Sequence, residues 1–215
     1  MAERFNECVF CRSANSGLWR GANFYVLLDI APMMEGHLLI CSADHYPSAA
    51  DLSAEAATEL DTICAWLRSL YLHEYGVFTG FEHGRTGHCV RLTPDEHICH
   101  HAHIHVLPLA ADLAGRIRLS QPTNWQDWRH VAELGEDLAG YLVIDSTVSG
   151  RVFYPVTRGL PPHYLRTEVG ELIGAPERAD WERAAALGAS HRLVERTRRR
   201  LAGAMATGIP NAAPR

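Results

Sequence analysis

The sequence predicts an α+β fold, an antiparallel sheet with a covering helix, followed by a C-terminal α/β extension. Three patterns carry this. Residues 101–107, His-Ala-His-Ile-His-Val-Leu, place a histidine at every second position with small or apolar residues between, which is the period of a strand. Residues 24–30 and 36–41 are short apolar runs on either side of a Pro-containing turn, a hairpin-like unit. Ala56, Leu60, Ile63, Cys64, Leu67, Leu70 and Tyr71 recur at helical spacing, so that helix should cover the sheet.

Each element has a local reason. Ser53 is suited to cap the helix, with Glu55 in its first turn. Residues 77–81 read as a third strand, and a loop over 82–98 leads to the His-containing strand, which ends at Leu107-Pro108-Leu109. Further on, residues 141–145 and 151–156 pair as a hairpin turning at Ser149-Gly150, while Trp125 and Trp128 lie in a polar stretch. Pro161-Pro162 opens a short helix that Gly174 stops, and residues 180–204 read as one final helix carrying Arg196, Arg198, Arg199 and Arg200. The chain thus divides into a first domain at 1–115, an extension of hairpin and helices at 116–207, and a flexible tail at 208–215.

Composition narrows the function classes. A chain of 215 residues, 47% of them hydrophobic, can bury a core. Its formal net charge of -5 gives no general attraction to nucleic acid or an anionic membrane, so neither partner is expected and a phosphate would have to be attracted locally. No apolar run approaches the roughly 18 residues of a membrane helix, and the N-terminus lacks a signal-peptide pattern. Cys41, Cys64, Cys89 and Cys99 read as free thiols, which points to a reducing cytoplasm. All 20 Lys+Arg residues are arginine, so phosphate-loop, Schiff-base and adenylylated lysines are excluded.

Two constellations carry chemistry. His101, His103 and His105 share one strand face, and imidazole serves near neutral pH as nucleophile, general acid or base, or metal ligand. The same spacing also fits a solvated strand face or a metal-binding row. Separately, Cys8-Val9-Phe10-Cys11 can bite one metal ion from a single turn, and a tetrahedral zinc site then needs two further ligands. A polar turn at 13–16 follows the pair, where a redox-active pair would open a helix.

The triad, Asp29, Pro32, Gly36-His37-Leu38-Leu39-Ile40 and His45, arriving in this order, resemble the histidine triad (HIT) superfamily over about residues 8–109. The resemblance implies a HIT-like sheet and an enzyme acting at the α-phosphorus of a nucleoside phosphate conjugate, as a hydrolase or a nucleotidyltransferase. It implies that His103 is the nucleophile, that His105 donates to a non-bridging oxygen, and that His37 supports the row. Asp29 would accept ribose hydroxyls, with Leu27 and Ile30 against the base. Zinc would be held by Cys8, Cys11, His45 and His101, as a structural ion. Dimerisation is implied as well, although the extension stands to cover a pairing surface.

The sequence departs from the family pattern at Phe81-Glu82-His83-Gly84 and in the loop behind it. Glu82 and His83 are candidates for acid or base work there, and Gly84 for a backbone contact with substrate, while Arg85 and Arg91 are candidate phosphate contacts. Some longer members of the superfamily carry a similar Tyr-Leu-Arg helix, so Arg166 is a candidate to reach the substrate from the extension. Two other classes stay open: an enzyme whose His row binds metal and activates water, and a non-catalytic zinc-stabilised module binding nucleotide or RNA.

Overall fold

The computed structural model describes residues 9–13, 16–85, 101–119 and 121–208. Cys8, Cys89, Arg91, Cys99 and the tail from residue 209 lie outside them. The strands are β1 (Trp19–Arg20), β2 (Phe24–Leu28), β3 (Leu38–Ser42), β4 (Thr79–Gly84), β5 (His103–Leu107), β6 (Thr123–Asn124), β7 (Gly140–Ser146) and β8 (Gly150–Val156). The helices are α1 (Val9–Ser13), α2 (Ala54–Tyr75), α3 (Trp128–Gly135), α4 (Tyr164–Leu172), α5 (Trp181–Ala185) and α6 (Gly188–Ala206). All pairings are antiparallel, and the strands form one sheet in the order β1-β2-β3-β5-β4-β7-β8-β6. The α+β class expected from the sequence is therefore observed, and the sheet runs unbroken across residue 115 through the β4–β7 pair.

Alternation along the strands gives the sheet two chemically distinct faces. On one, Val26, Ile40, Ile104, Val106, Tyr141 and Val143 pack beneath the buried stripe of α2, which includes Leu60, Ile63 and Leu67. Ser53 caps that helix by accepting from the Ala56 N–H, and Gly76 closes it in the left-handed conformation. On the other face, Phe81, Leu107, Leu142 and Ile144 pack beneath Leu165 and Val169 of α4, while Leu27, Leu39 and Cys41 pack with Phe10 of α1. Between these two apolar groups lies the β5 segment carrying His103 and His105.

The extension departs from the sequence reading in its last helix. Residues 180–204 form α5 and α6, with Leu187 in extended backbone between them. Gly188, a weak helix former, opens the second helix at this break. Arg196 pairs with Glu35 at 2.7 Å, and Arg200 reaches Glu74 at 3.4 Å while lying over the Tyr75 ring. These arginines therefore dock α6 on the first half of the chain. Trp125 and Trp128 are likewise buried in the core.

Gly84 shows how tightly the helix-covered face is filled. A Cβ at this position would be driven into the Tyr141 ring across the β4–β7 ladder. Gly84→Ala is therefore expected to lower unfolding stability by about 1–3 kcal/mol, measured by urea titration; an unchanged midpoint would contradict this packing.

Candidate active site

The protonation pattern of the histidine row follows from backbone partners. His103 Nδ1 lies 2.9 Å from the His101 carbonyl oxygen. A carbonyl only accepts, so Nδ1 carries the hydrogen, and in the neutral ring Nε2 carries the lone pair. For His105 the pattern is reversed. The Met33 N–H donates to His37 Nδ1 at 3.0 Å, leaving the His37 proton on Nε2, which lies 2.9 Å from His105 Nδ1. His105 Nδ1 therefore accepts, and its own hydrogen sits on Nε2. Burial holds the His37 imidazole at about 4, despite Asp29 nearby, and burial with His103 beside it pulls His105 well below its ordinary value. Neutral rings in these two positions fit this donor chain.

The turn that supplies Met33 is held from several sides. Gly36, at a φ of 85°, allows the sharp entry into β3 that presents His37, and a Cβ there would press on Tyr75 and Pro108. Its N–H donates to Thr197 Oγ1 of α6 at 2.7 Å, and the Tyr71 hydroxyl of α2 donates to its carbonyl. Asp29 accepts from the Ala31 N–H at 2.8 Å and from Arg166 at 2.9 Å. Burial alone would raise the Asp29 carboxyl; His37, Arg166 and the Ala31 N–H together hold it below the usual range. Arg166 also donates to the carbonyls of Ala31, Arg178 and Ala179, so α4 is tied to the strand-end carboxylate by a buried cation.

A pocket opens over this row. Leu27, Asp29 and Ile30 line it beside His103 and His105, and Arg166 completes one side. Ile30 is 49% exposed and leaves apolar surface at the pocket edge. The extension contributes His163 and Trp181, and α1 contributes Val9, Phe10 and Ser13. None of those five was singled out from the sequence as a pocket residue. His163 carried the clearest signal, standing three residues before Arg166 at the start of a helix.

Next to the pocket, Cys11 Sγ lies 3.1 Å from His45 Nε2 and 3.3 Å from His101 Nε2. His101 Nδ1 is 3.0 Å from the Ser42 carbonyl, so this ring also turns a lone pair toward the thiol. A thiolate and two imidazoles are a donor set suited to zinc, and a carbonyl bonded to the second ring nitrogen is the usual support for a metal-ligating histidine. Asp29, His37 and His105 also cluster. There His37 Nε2 donates to His105 Nδ1 and Asp29 accepts from Arg166, whose positive charge disfavours a second cation.

The chain is similar to CWF19-like protein 1 of Mus musculus, at 22% identity over 178 residues, and to CWF19-like protein 1 of Pongo abelii, at 21%. The matched segment is 75% of this chain but 30% of each relative, so the chain spans under a third of their length. No family model matches. Among the described residues, no helix is long and apolar enough to cross a membrane.

Other residues that the sequence singled out lie elsewhere. Glu82 and Gly84 project to the helix-covered face, opposite the row, because the β4 residues facing His105 are the odd-numbered ones. Arg85 binds Asp51 and the Gly135 carbonyl, and so does not face the pocket. His83 does share the triad face, and the β4–β5 register, continued by two residues, sets it opposite His103. Its Nε2 is buried with no hydrogen-bond partner among the described residues, and burial with His103 and His163 nearby lowers it to about 4.

Glu82 is instead a structural carboxyl. It accepts from the Ala49 N–H and the Tyr141 hydroxyl, both at 2.7 Å, and burial raises it to about 7. A carboxyl raised in the folded state stabilises fully below its unfolded value, about 4.5, and that contribution is lost as pH rises through about 7. Glu82→Gln, which stays neutral, should gain on the parent by about 3 kcal/mol between about pH 4 and about pH 8. Urea unfolding across that range checks this, and parallel profiles for the two proteins would contradict it.

Proposed function

We propose that this chain is a HIT-type enzyme, a nucleotide hydrolase or nucleotidyltransferase acting at the α-phosphorus of a nucleoside phosphate conjugate. The observation that carries the reading is the opposed polarity of two neighbouring rings on one strand face. His103 turns a lone pair, and His105 an N–H, to the edge of a pocket with apolar walls. A row used only for metal would need lone pairs on both.

In the mechanism that this supports, the base lies against Leu27 and Ile30, and Asp29, fixed by Arg166, accepts from ribose hydroxyls. His103 Nε2 attacks phosphorus and the bond to the leaving group breaks, giving a phosphoramidate on the enzyme. The His101 carbonyl keeps Nδ1 protonated and shares the positive charge that appears on the ring as it attacks. His105 Nε2–H donates to a non-bridging oxygen, and the Met33–His37 chain holds that hydrogen in place. Water or another acceptor then displaces the histidine. Arg166, which also lines the pocket as expected of a residue reaching the substrate from the extension, holds Asp29 in position.

Cys11, His45 and His101, with Cys8 as the fourth ligand, would hold zinc as a structural ion. Bound there, it would supply a crosslink from α1 to His101, just ahead of β5. Purified protein should contain about one zinc per chain, lost with a lowered melting temperature in Cys11→Ala; elemental analysis showing full zinc retention in a Cys11→Ala/His45→Ala variant would contradict the assignment.

The catalytic reading is tested by mixing the protein with labelled nucleotide conjugates and quenching in alkali, which preserves phosphoramidates. A nucleotidyl mass increment on His103 is expected in the parent, and His103→Ala should lose both the adduct and turnover, by on the order of a thousandfold or more. Turnover surviving in His103→Ala would overturn it.

A further inference from the structure

The segment after β8 brings a further histidine to the pocket, and this inference rests on the reading of His103 just given. His163 immediately precedes α4 with a φ of 61°, one of two non-glycine residues with positive φ among those described. Left-handed backbone at such a residue is uncommon and concentrates at functional sites. A residue at this place ordinarily turns its side chain back to cap the helix amides. His163 makes no side-chain capping bond, and instead lines the pocket with His103 and His105.

His163 also lines a second cleft, formed wholly by the extension, with Pro162, Thr167, Glu177, Asp180 and Arg183 among its walls. It thus stands where the triad pocket meets that cleft. Arg183 pairs with Asp180 at 3.3 Å and Arg178 lies 3.9 Å from Glu177, so the cleft carries no surplus positive charge to draw a polyphosphate and is suited to a neutral group. The ring is also electrically part of the site: His83, opposite His103, feels both His103 and His163, and His163 is itself lowered by burial and by Arg166.

We propose that His163 is a catalytic residue that protonates the leaving group, and that the cleft behind it receives an alcohol or amine released from a nucleoside 5′-phosphate ester or phosphoramidate. The step balances. His103 Nε2 forms the N–P bond as the P–O or P–N bond to the leaving group breaks; the departing oxygen or nitrogen keeps the electron pair and takes a proton from the His163 imidazolium. In the second half, an incoming hydroxyl, of water or an acceptor alcohol, gives its proton to neutral His163 as it attacks phosphorus, and the N–P bond breaks to restore His103.

The test compares the p-nitrophenyl and propyl 5′-monophosphate esters of adenosine, guanosine, cytidine and uridine. p-Nitrophenolate departs without a proton, whereas propoxide needs one. His163→Asn keeps a side chain that tolerates the left-handed backbone. In single turnovers with enzyme in excess, which read the first half-reaction before His163 is needed as a base, it should slow alcohol release from the propyl ester by about 10²- to 10³-fold and change p-nitrophenolate release by less than about threefold. His163→Gly, free of backbone strain, should show the same selectivity. Equal losses on both esters, or no loss on the propyl ester, would overturn the assignment. If wild-type protein forms no adduct with any p-nitrophenyl ester, the reading of His103 fails first, and the role of His163 falls with it.

Discussion

The hydrogen bond from the Met33 N–H to His37 Nδ1 decides where the protons of this site reside. It fixes one nitrogen of His37 as acceptor and makes the other a donor, which in turn makes His105 present an N–H outward. The turn around Met33 is held from three helices. α2 reaches it through Tyr71, α6 through Thr197, and α4 through the four donated bonds of Arg166. Each of these clamps comes from a different part of the chain, and two come from the extension. In this arrangement the extension belongs to the construction of the site as much as the residues around the triad do.

His103 depends on a different and more local device. Its Nδ1 is held by the carbonyl two residues earlier in the same strand, so its orientation needs no partner from another element. Its neighbour His101 turns away to Ser42 and to Cys11. Three histidines at alternating positions thus acquire three distinct hydrogen-bond environments. A lone pair beside a donated hydrogen is the pattern suited to attack at phosphorus while an equatorial oxygen is held.

Much of this was legible in the sequence because strand alternation and helical spacing are local properties. Residues 24–41, the helix capped by Ser53 and the face shared by His103 and His105 all follow from short-range pattern. Glu82 and His83 were less legible, since adjacent strand residues point to opposite faces and the pattern does not say which face is the pocket. The register with His105 decides it, sending His83 to the triad side and Glu82 to Ala49 and Tyr141. Trp181 could not be read by spacing, and His163 only through its place three residues before Arg166, because their approach depends on how α4 and α5 fold back onto the sheet. Arg166 was found by its chemical type and place in the helix, but its partner Asp29 lies 137 residues away.

The most direct measurement of the central claim is the tautomeric state of each triad ring, read from long-range nitrogen–proton correlations on histidine-labelled protein near neutral pH. Hydrogen is expected on Nδ1 of His103 and on Nε2 of both His37 and His105. Hydrogen on Nε2 of His103, or a charged His37, would contradict it.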